Sequence, residues 1–187
     1  MSPRRANPLT LEYVILGLIR LQPTHGYDLF HILQQEEGIG AIWQIKPGRL
    51  YALLEKLETL GWLQPEVKLD GFPPRKQFRL SQAGEEAFME WLYTPVPSAH
   101  RMRQEFLARL FFAPFEGQAA LDRIIENQKR TCNSWLESLE KTCQALAPDQ
   151  NFDRQVYRFR IGQTRAMLEW LDHCIEGLVS IDNTKRS

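Results

Sequence analysis

Three positive charges, Arg75, Lys76 and Arg79, fall within five residues of one another, directly after the turn signal Asp70-Gly71-Phe72-Pro73-Pro74. Guanidinium and ammonium groups gathered beside a bent chain tip suit a polyanion. They can neutralise phosphates, track a nucleic-acid backbone or reach into a minor groove. A second basic set, Lys46, Arg49 and Lys56, accompanies a leucine-rich run that begins at Pro47. Arginine and lysine in such a place can reach guanine edges or phosphates. A basic hairpin is most often simply solvated, and a leucine stripe is core in any helical protein. The order of the elements that carry these residues therefore decides between these readings.

Residues for other chemistry do not assemble. The histidines are His25, His31, His100 and His173, and no His-Glu-x-x-His pair occurs. There is no Cys-x-x-Cys, no phosphate loop and no nucleophile elbow. Carboxylates are scattered among lysines, as on a solvated surface. We expect no enzyme activity, no metal and no cofactor. Cys132, Cys143 and Cys174 make an odd number, which fits a reducing compartment. Cys132 and Cys143 would lie about 16 Å apart along a helix, too far for a disulfide, so buried packing is their expected role. The first apolar run is interrupted by Glu12 and Arg20, unlike a signal peptide, and no stretch approaches a membrane span. A cytoplasmic protein is expected. Formal net charge is zero, and residues 1–98 carry 10 Lys+Arg against 11 Asp+Glu. A nucleic-acid reading must therefore depend on where the charges sit.

The elements follow from periodicity and breakers. Leu11, Val14, Ile15, Leu18 and Ile19 make one apolar helix face, ended by Gln22-Pro23. Thr24 is a plausible cap for a second helix over about 25–37, with Tyr27, Leu29, Phe30 and Leu33 inward, broken by Gly38 and Gly40. Pro47 opens a third helix whose stripe is Leu50, Leu53, Leu54, Leu57 and Leu60, closed by Gly61. Arg49, Ala52, Lys56 and Thr59 then face outward, with Tyr51 flanking and Lys46 just before the start. The runs 62–69 and 75–80 alternate around the Gly/Pro turn and predict a β-hairpin. Ser81 caps a fourth helix to about Tyr93, with Glu85 in its first turn. Three helices, a hairpin and a helix is the order of a winged helix-turn-helix, whose third helix enters the major groove.

The same residues resemble a known family. The runs Leu11-Glu-Tyr-Val-Ile-Leu-Gly-Leu18, His25-Gly-Tyr-Asp-Leu29, Ile45-Lys-Pro-Gly-Arg-Leu-Tyr51, Leu54-Glu-Lys-Leu-Glu-Thr-Leu-Gly61 and Arg75-Lys-Gln-Phe-Arg-Leu-Ser-Gln-Ala-Gly84 look like the phenolic acid decarboxylase regulator (PadR) family over residues 9–93. The helical remainder is similar to the longer C-terminal domain of one branch. The resemblance implies a repressor that binds a palindromic operator as a homodimer, with release by small, often aromatic, effectors. It also implies that Tyr51 and its neighbours face DNA. Pro47-Gly48-Arg49 stands where many relatives have smaller polar residues, so no operator sequence carries over.

Pro95-Val96-Pro97 divides the chain into a DNA-binding domain, 1–94, and a helical domain, 95–187. The fold class expected is mainly α, with a small wing and an antiparallel helical dimerisation domain. Helices are expected over about 101–112, 117–146 and 152–179. Leu136, Leu139 and Cys143 on one helix, and Phe159, Met167, Trp170 and Cys174 on the next, are candidates for a face paired across a two-fold axis. Trp135, Phe159, Met167 and Trp170 could line an aromatic-binding effector pocket, although aromatics at helical spacing are more often plain core. The alternative function, from another class, is a protein-interaction module that kept the winged fold and lost DNA binding.

Overall fold

The apolar stripe of the first helix is taken up almost whole. In a computed structural model, Val14, Ile15 and Leu16 of α1 (Thr10–Leu21) are fully buried and Ile19 nearly so. The structure describes residues 10–68 and 75–182, with side chains for all of these except 67, 68, 75 and 175–182. The chain forms two compact units, Met1–Leu92 and Tyr93–Ser187.

In the first unit, α2 (Gly26–Gln34) lays Leu29 and Leu33 into the core. Helix α3 (Pro47–Thr59) starts on proline, whose missing N–H costs nothing there. Leu50, Leu54 and Leu57 are buried to 2% or less. A 3₁₀ turn, Gly38–Ala41, joins α2 to α3. The Gln34 side chain donates to the Ile45 carbonyl at 2.9 Å and so fixes the entry to α3. Strands β2 (Leu63–Lys68) and β3 (Arg75–Leu80) pair antiparallel, from Leu63 opposite Leu80 to Lys68 opposite Arg75. Helix α4 (Gln82–Tyr93) then stacks Trp91 on Tyr13 of α1, with ring centroids 5.2 Å apart. The architecture is a mainly helical winged helix with a small antiparallel sheet, as expected.

Several details differ from expectation. Thr24 is not a helix cap. With His25 it forms β1 (Thr24–His25), which pairs with Phe78 and Gln77 of β3, so the sheet has three strands in the order β1-β3-β2. The two residues are extended because β3 offers them a ladder, and α2 begins one residue later. That helix stops at Gln34, short of 37. Tyr27 is 63% exposed rather than inward. Leu60 is the C-cap of α3 and 47% exposed, because the helix ends before another turn would bury it. Ser81 does cap α4, its Oγ accepting from the Gly84 N–H at 3.1 Å. The Glu85 carboxylate, however, turns to Arg20 at 2.6 Å.

The second unit is helical throughout. A single turn, α5 (Ala99–Arg101), leads into a π-helical turn, Met102–Phe106, then α6 (Leu107–Phe112) and a 3₁₀ turn, Ala113–Glu116. The long helices α7 (Gln118–Gln144) and α8 (Asn151–Asp182) pack antiparallel. Lys129 pairs with Asp172 and Glu140 with Arg165, so positions advance on one helix as they recede on the other. Buried polar groups tie the start of this unit to its helices. Gln128, fully buried, accepts from the Val96 N–H at 2.8 Å. Arg109, 3% exposed, donates to the Thr94 carbonyl and to Glu105, the latter at 2.6 Å. Each pairing removes an otherwise costly buried donor or charge. Among the described residues no helix is long and apolar enough to cross a membrane.

Candidate nucleic-acid interface

With Leu50, Leu54 and Leu57 inward, the 100° step of a helix leaves Arg49, Ala52, Lys56 and Thr59 outward. All four are exposed. Lys46 is the N-cap of α3 and exposed, so Lys46 and Arg49 both stand at the helix N-terminus, whose positive dipole end also favours an anion. Neither side chain is committed to a carboxylate among the described residues.

Three of the other candidate cations are held. Lys56 Nζ lies 3.0 Å from Glu12 Oε1 on α1, and Glu12 is only 11% exposed at its side chain. Lys76 Nζ lies 2.6 Å from Glu58 Oε2 on α3, and 5.3 Å from the centroid of the Phe78 ring. Arg79 Nε lies 2.7 Å from Glu66 Oε2 across the hairpin. Arg75 is on β3 by its backbone; its side chain, and the tip 69–74, lie outside the described residues. The structure thus brings Lys46, Arg49, Tyr51 and Lys56 onto one helix and Lys76 and Arg79 onto the adjacent strand. Three of the cations carry an internal counter-ion that sequence spacing does not reveal.

Tyr51, 52% exposed, lies against Gly26. A Cβ built at Gly26 would come 2.8 Å from Tyr51 Cε1. The Gly26-Tyr27 pair and the Gly48-x-Leu50-Tyr51 start are therefore two halves of one contact. These residues border a cleft of about 980 Å³ that also takes in His25, Asp28, Glu55, Glu58 and Lys76. Among its described lining residues are three carboxylates and one ammonium, so the flank of α3 toward β3 is acidic while the flank toward Arg49 is basic.

Residues 15–90 match the transcriptional regulator PadR-like family, and residues 102–178 match the virulence activator alpha C-terminal domain. A PadR family transcriptional regulator from Eggerthella lenta is 31% identical, over 43% of this chain and 67% of that one, with a TM-score of 0.38. The chain belongs to the PadR-like family of transcriptional regulators. The negative transcriptional regulator PadR of Bacillus subtilis is 24% identical over 73% of this chain and 74% of its own length. Its crystal structure in complex with operator DNA covers 94% of this chain and 99% of that one, at 20% identity and a TM-score of 0.46. A structure of the same protein in complex with p-coumaric acid covers 91% and 96%, at 21% identity and a TM-score of 0.40.

The PadR-like match ends before the second unit's own candidates. In that unit Leu136, Leu139, Cys143 and Met167 are half-buried, Phe159 is 65% exposed and Trp170 41% exposed. Cys174 is 8% exposed and so belongs to the unit's own core. Burial pushes its thiol pKa up to about 11 and raises that of Cys132 as well. Trp135 and Met167 line a cavity of about 720 Å³ between the 97–103 segment, α7 and α8. Phe159 and Trp170 do not line it, so the four aromatic-pocket candidates divide into two pairs. Arg103, Arg160 and His100 do line it, and sequence reasoning missed all three. They come from two segments some 57–60 residues apart, which no local pattern connects.

Proposed function

We propose that this PadR-like regulator is a repressor that binds a palindromic operator as a homodimer and is released by a small effector. The observation that carries the DNA reading is the disposition of α3. Its leucine side is sunk in the core, while Lys46 and Arg49, without a carboxylate partner among the described residues, stand at its exposed N-terminus. Arg49 is the base reader in this account, able to bridge the two acceptors of a guanine. Lys46 serves phosphate, Tyr51 and Lys56 flank the contact, and Arg75, Lys76 and Arg79 serve the backbone from the wing.

A second copy is supported by α8. Phe152, Val156, Phe159, Gln163, Ala166 and Trp170 follow one another at alternating four- and three-residue steps, the spacing of a helix–helix seam. Phe152 is 80% exposed and Phe159 65%, more aromatic surface than one small unit leaves in water without a partner. Leu136, Leu139, Cys143, Met167 and Cys174 are the further candidates for this face on the two helices. Two copies would present two recognition helices to half-sites about 34–36 Å apart.

The effector reading falls on the cavity lined by Trp135 and Met167. Its lining carries Arg103, Arg160 and His100 and, among the described residues, no Asp or Glu, so a small anion with a flat apolar body fits it. Phe159 and Trp170 would act at the seam instead. The B. subtilis relative was crystallised with p-coumaric acid, a compound of that class and a rational first ligand to try. The regulator works in the cytoplasm on this reading.

One observation favours the alternative, a winged module that binds protein: Lys56, Lys76 and Arg79 already have carboxylate partners. Selection of duplexes from a random pool separates the two. The regulator enriches a two-fold symmetric sequence, and its affinity falls with salt at a slope near −0.9 per phosphate neutralised. An interaction module enriches nothing and shows no such slope.

A further inference from the structure

The pairing of Lys76 with Glu58 has a consequence for selectivity, which rests on the DNA-binding reading above. We propose that Glu58 is a specificity-determining residue of α3: it competes with phosphate for Lys76 and withholds that cation from DNA at large.

The geometry is local and redundant. Glu58 Oε2 and Lys76 Nζ are 2.6 Å apart, with side chains 31% and 47% exposed. The strand beneath is fixed by β1, and His25 Nδ1 lies 3.1 Å from the Lys76 carbonyl. The ammonium also stands 5.3 Å from the Phe78 ring centroid. Lys76 is therefore drawn across to α3 and not along the wing. Around it, Asp28, Glu55 and Glu58 outnumber the one ammonium among the cleft's described residues. On a helix of 100° per residue, Arg49 and Lys56 fall on one edge of α3, and Tyr51, Glu55 and Glu58 on the other. A phosphate that comes to the β3 edge meets carboxylates first.

Exposed ion pairs of this kind are weak, worth a factor of about two to five. That is too little to bar a well-matched site and enough to discount every other one. On random DNA, which lacks the base contact of Arg49, the duplex is not held close and Lys76 stays on Glu58. On a matched site Arg49 anchors the groove, a phosphate is held at the β3 edge, and Lys76 transfers to it. No covalent step is involved; one ion pair is exchanged for another.

The test measures salt slopes for wild type, Glu58→Gln and Lys76→Met on two duplexes, one selected by the protein from a random pool and one of random sequence. Glu58→Gln is expected to bind random DNA about two- to fivefold more tightly, with a slope steeper by about 0.9, and to leave the slope on the selected duplex unchanged. Lys76→Met is expected to flatten the slope on the selected duplex and leave that on random DNA alone. An unchanged random-DNA slope for Glu58→Gln, or equal flattening on both duplexes for Lys76→Met, overturns the proposal. A failure of the DNA-binding reading looks different: wild type itself then selects no sequence and shows no salt-dependent affinity.

Discussion

The ring of Tyr51 covers Gly26 so closely that the added methyl of an alanine would sit 2.8 Å from its Cε1. This contact joins the first turn of α2 to the second turn of α3. It makes the absence of a side chain at 26 a condition for where Tyr51 rests. Tyr51 is half exposed, however, and its ring can swing away. A different glycine has no such escape. A Cβ at Gly84 would come 2.2 Å from the Trp62 carbonyl oxygen, which is backbone.

Two alanine substitutions should therefore behave differently. Gly26→Ala is expected to displace Tyr51 while costing less than about 1 kcal/mol, because a flexible side chain yields and alanine is the better helix former. Gly84→Ala must shift α4 away from the Gly61–Trp62 turn, where Ser81 Oγ donates to the Gly61 carbonyl at 2.6 Å. It should cost about 1–3 kcal/mol, the usual range for overpacking. Urea unfolding of both variants checks the ranking, and equal costs would refute this account of the two contacts.

Lys56 illustrates a role the helical wheel alone does not show. Its partner Glu12 is nearly buried, at 11% side-chain exposure, whereas Lys56 is 46% exposed. Removing the cation strands a carboxylate in the first unit, and Lys56→Met should cost about 1–3 kcal/mol of stability. Glu12→Gln in the same chain should recover most of that loss. If Lys56→Met is neutral in urea unfolding yet weakens DNA binding, the residue serves DNA only and the structural role assigned here is wrong.

The amphipathic elements were legible from residue spacing. α1, α3 and the first half of α7 carry a period that burial then satisfies, whereas on α8 the same spacing leaves Phe152, Phe159 and Trp170 exposed, and on β2 Pro65 is exposed. What spacing could not supply was set by partners distant in the chain. β1 is two residues long and extended only because β3 lies beside it. The Lys56–Glu12 and Lys76–Glu58 pairs span 44 and 18 residues, so the candidate cations were identifiable while their counter-ions were not. The π-helical turn Met102–Phe106, with Glu105 clasped between Arg101 and Arg109, likewise follows from packing and not from any local signal. Tyr27 fell on the apolar side by period, yet α2 is short and its first turn borders the cleft.

Cys132 and Cys174 should be quiet at neutral pH. Burial holds the Cys174 thiol up to about 11 and raises that of Cys132, so both stay protonated. Thiolate is the reactive form, so alkylation followed by mass spectrometry should modify the half-buried Cys143 well before either. The folded protein also binds these protons more tightly than the unfolded chain does. The associated stability is complete below about pH 9 and is lost as pH rises through about 11. Unfolding midpoints that stay level across that window, or Cys174 labelling first, would contradict this.

The account turns on Arg49 as the base reader of α3, and one comparison tests it most directly. Arg49→Ala is measured against wild type on a duplex selected by the protein and on a random duplex, at one salt concentration. The predicted result is a loss of about 1–3 kcal/mol on the selected duplex alone, with random DNA bound as before. Equal losses on both duplexes would reduce Arg49 to a phosphate contact and contradict the central claim.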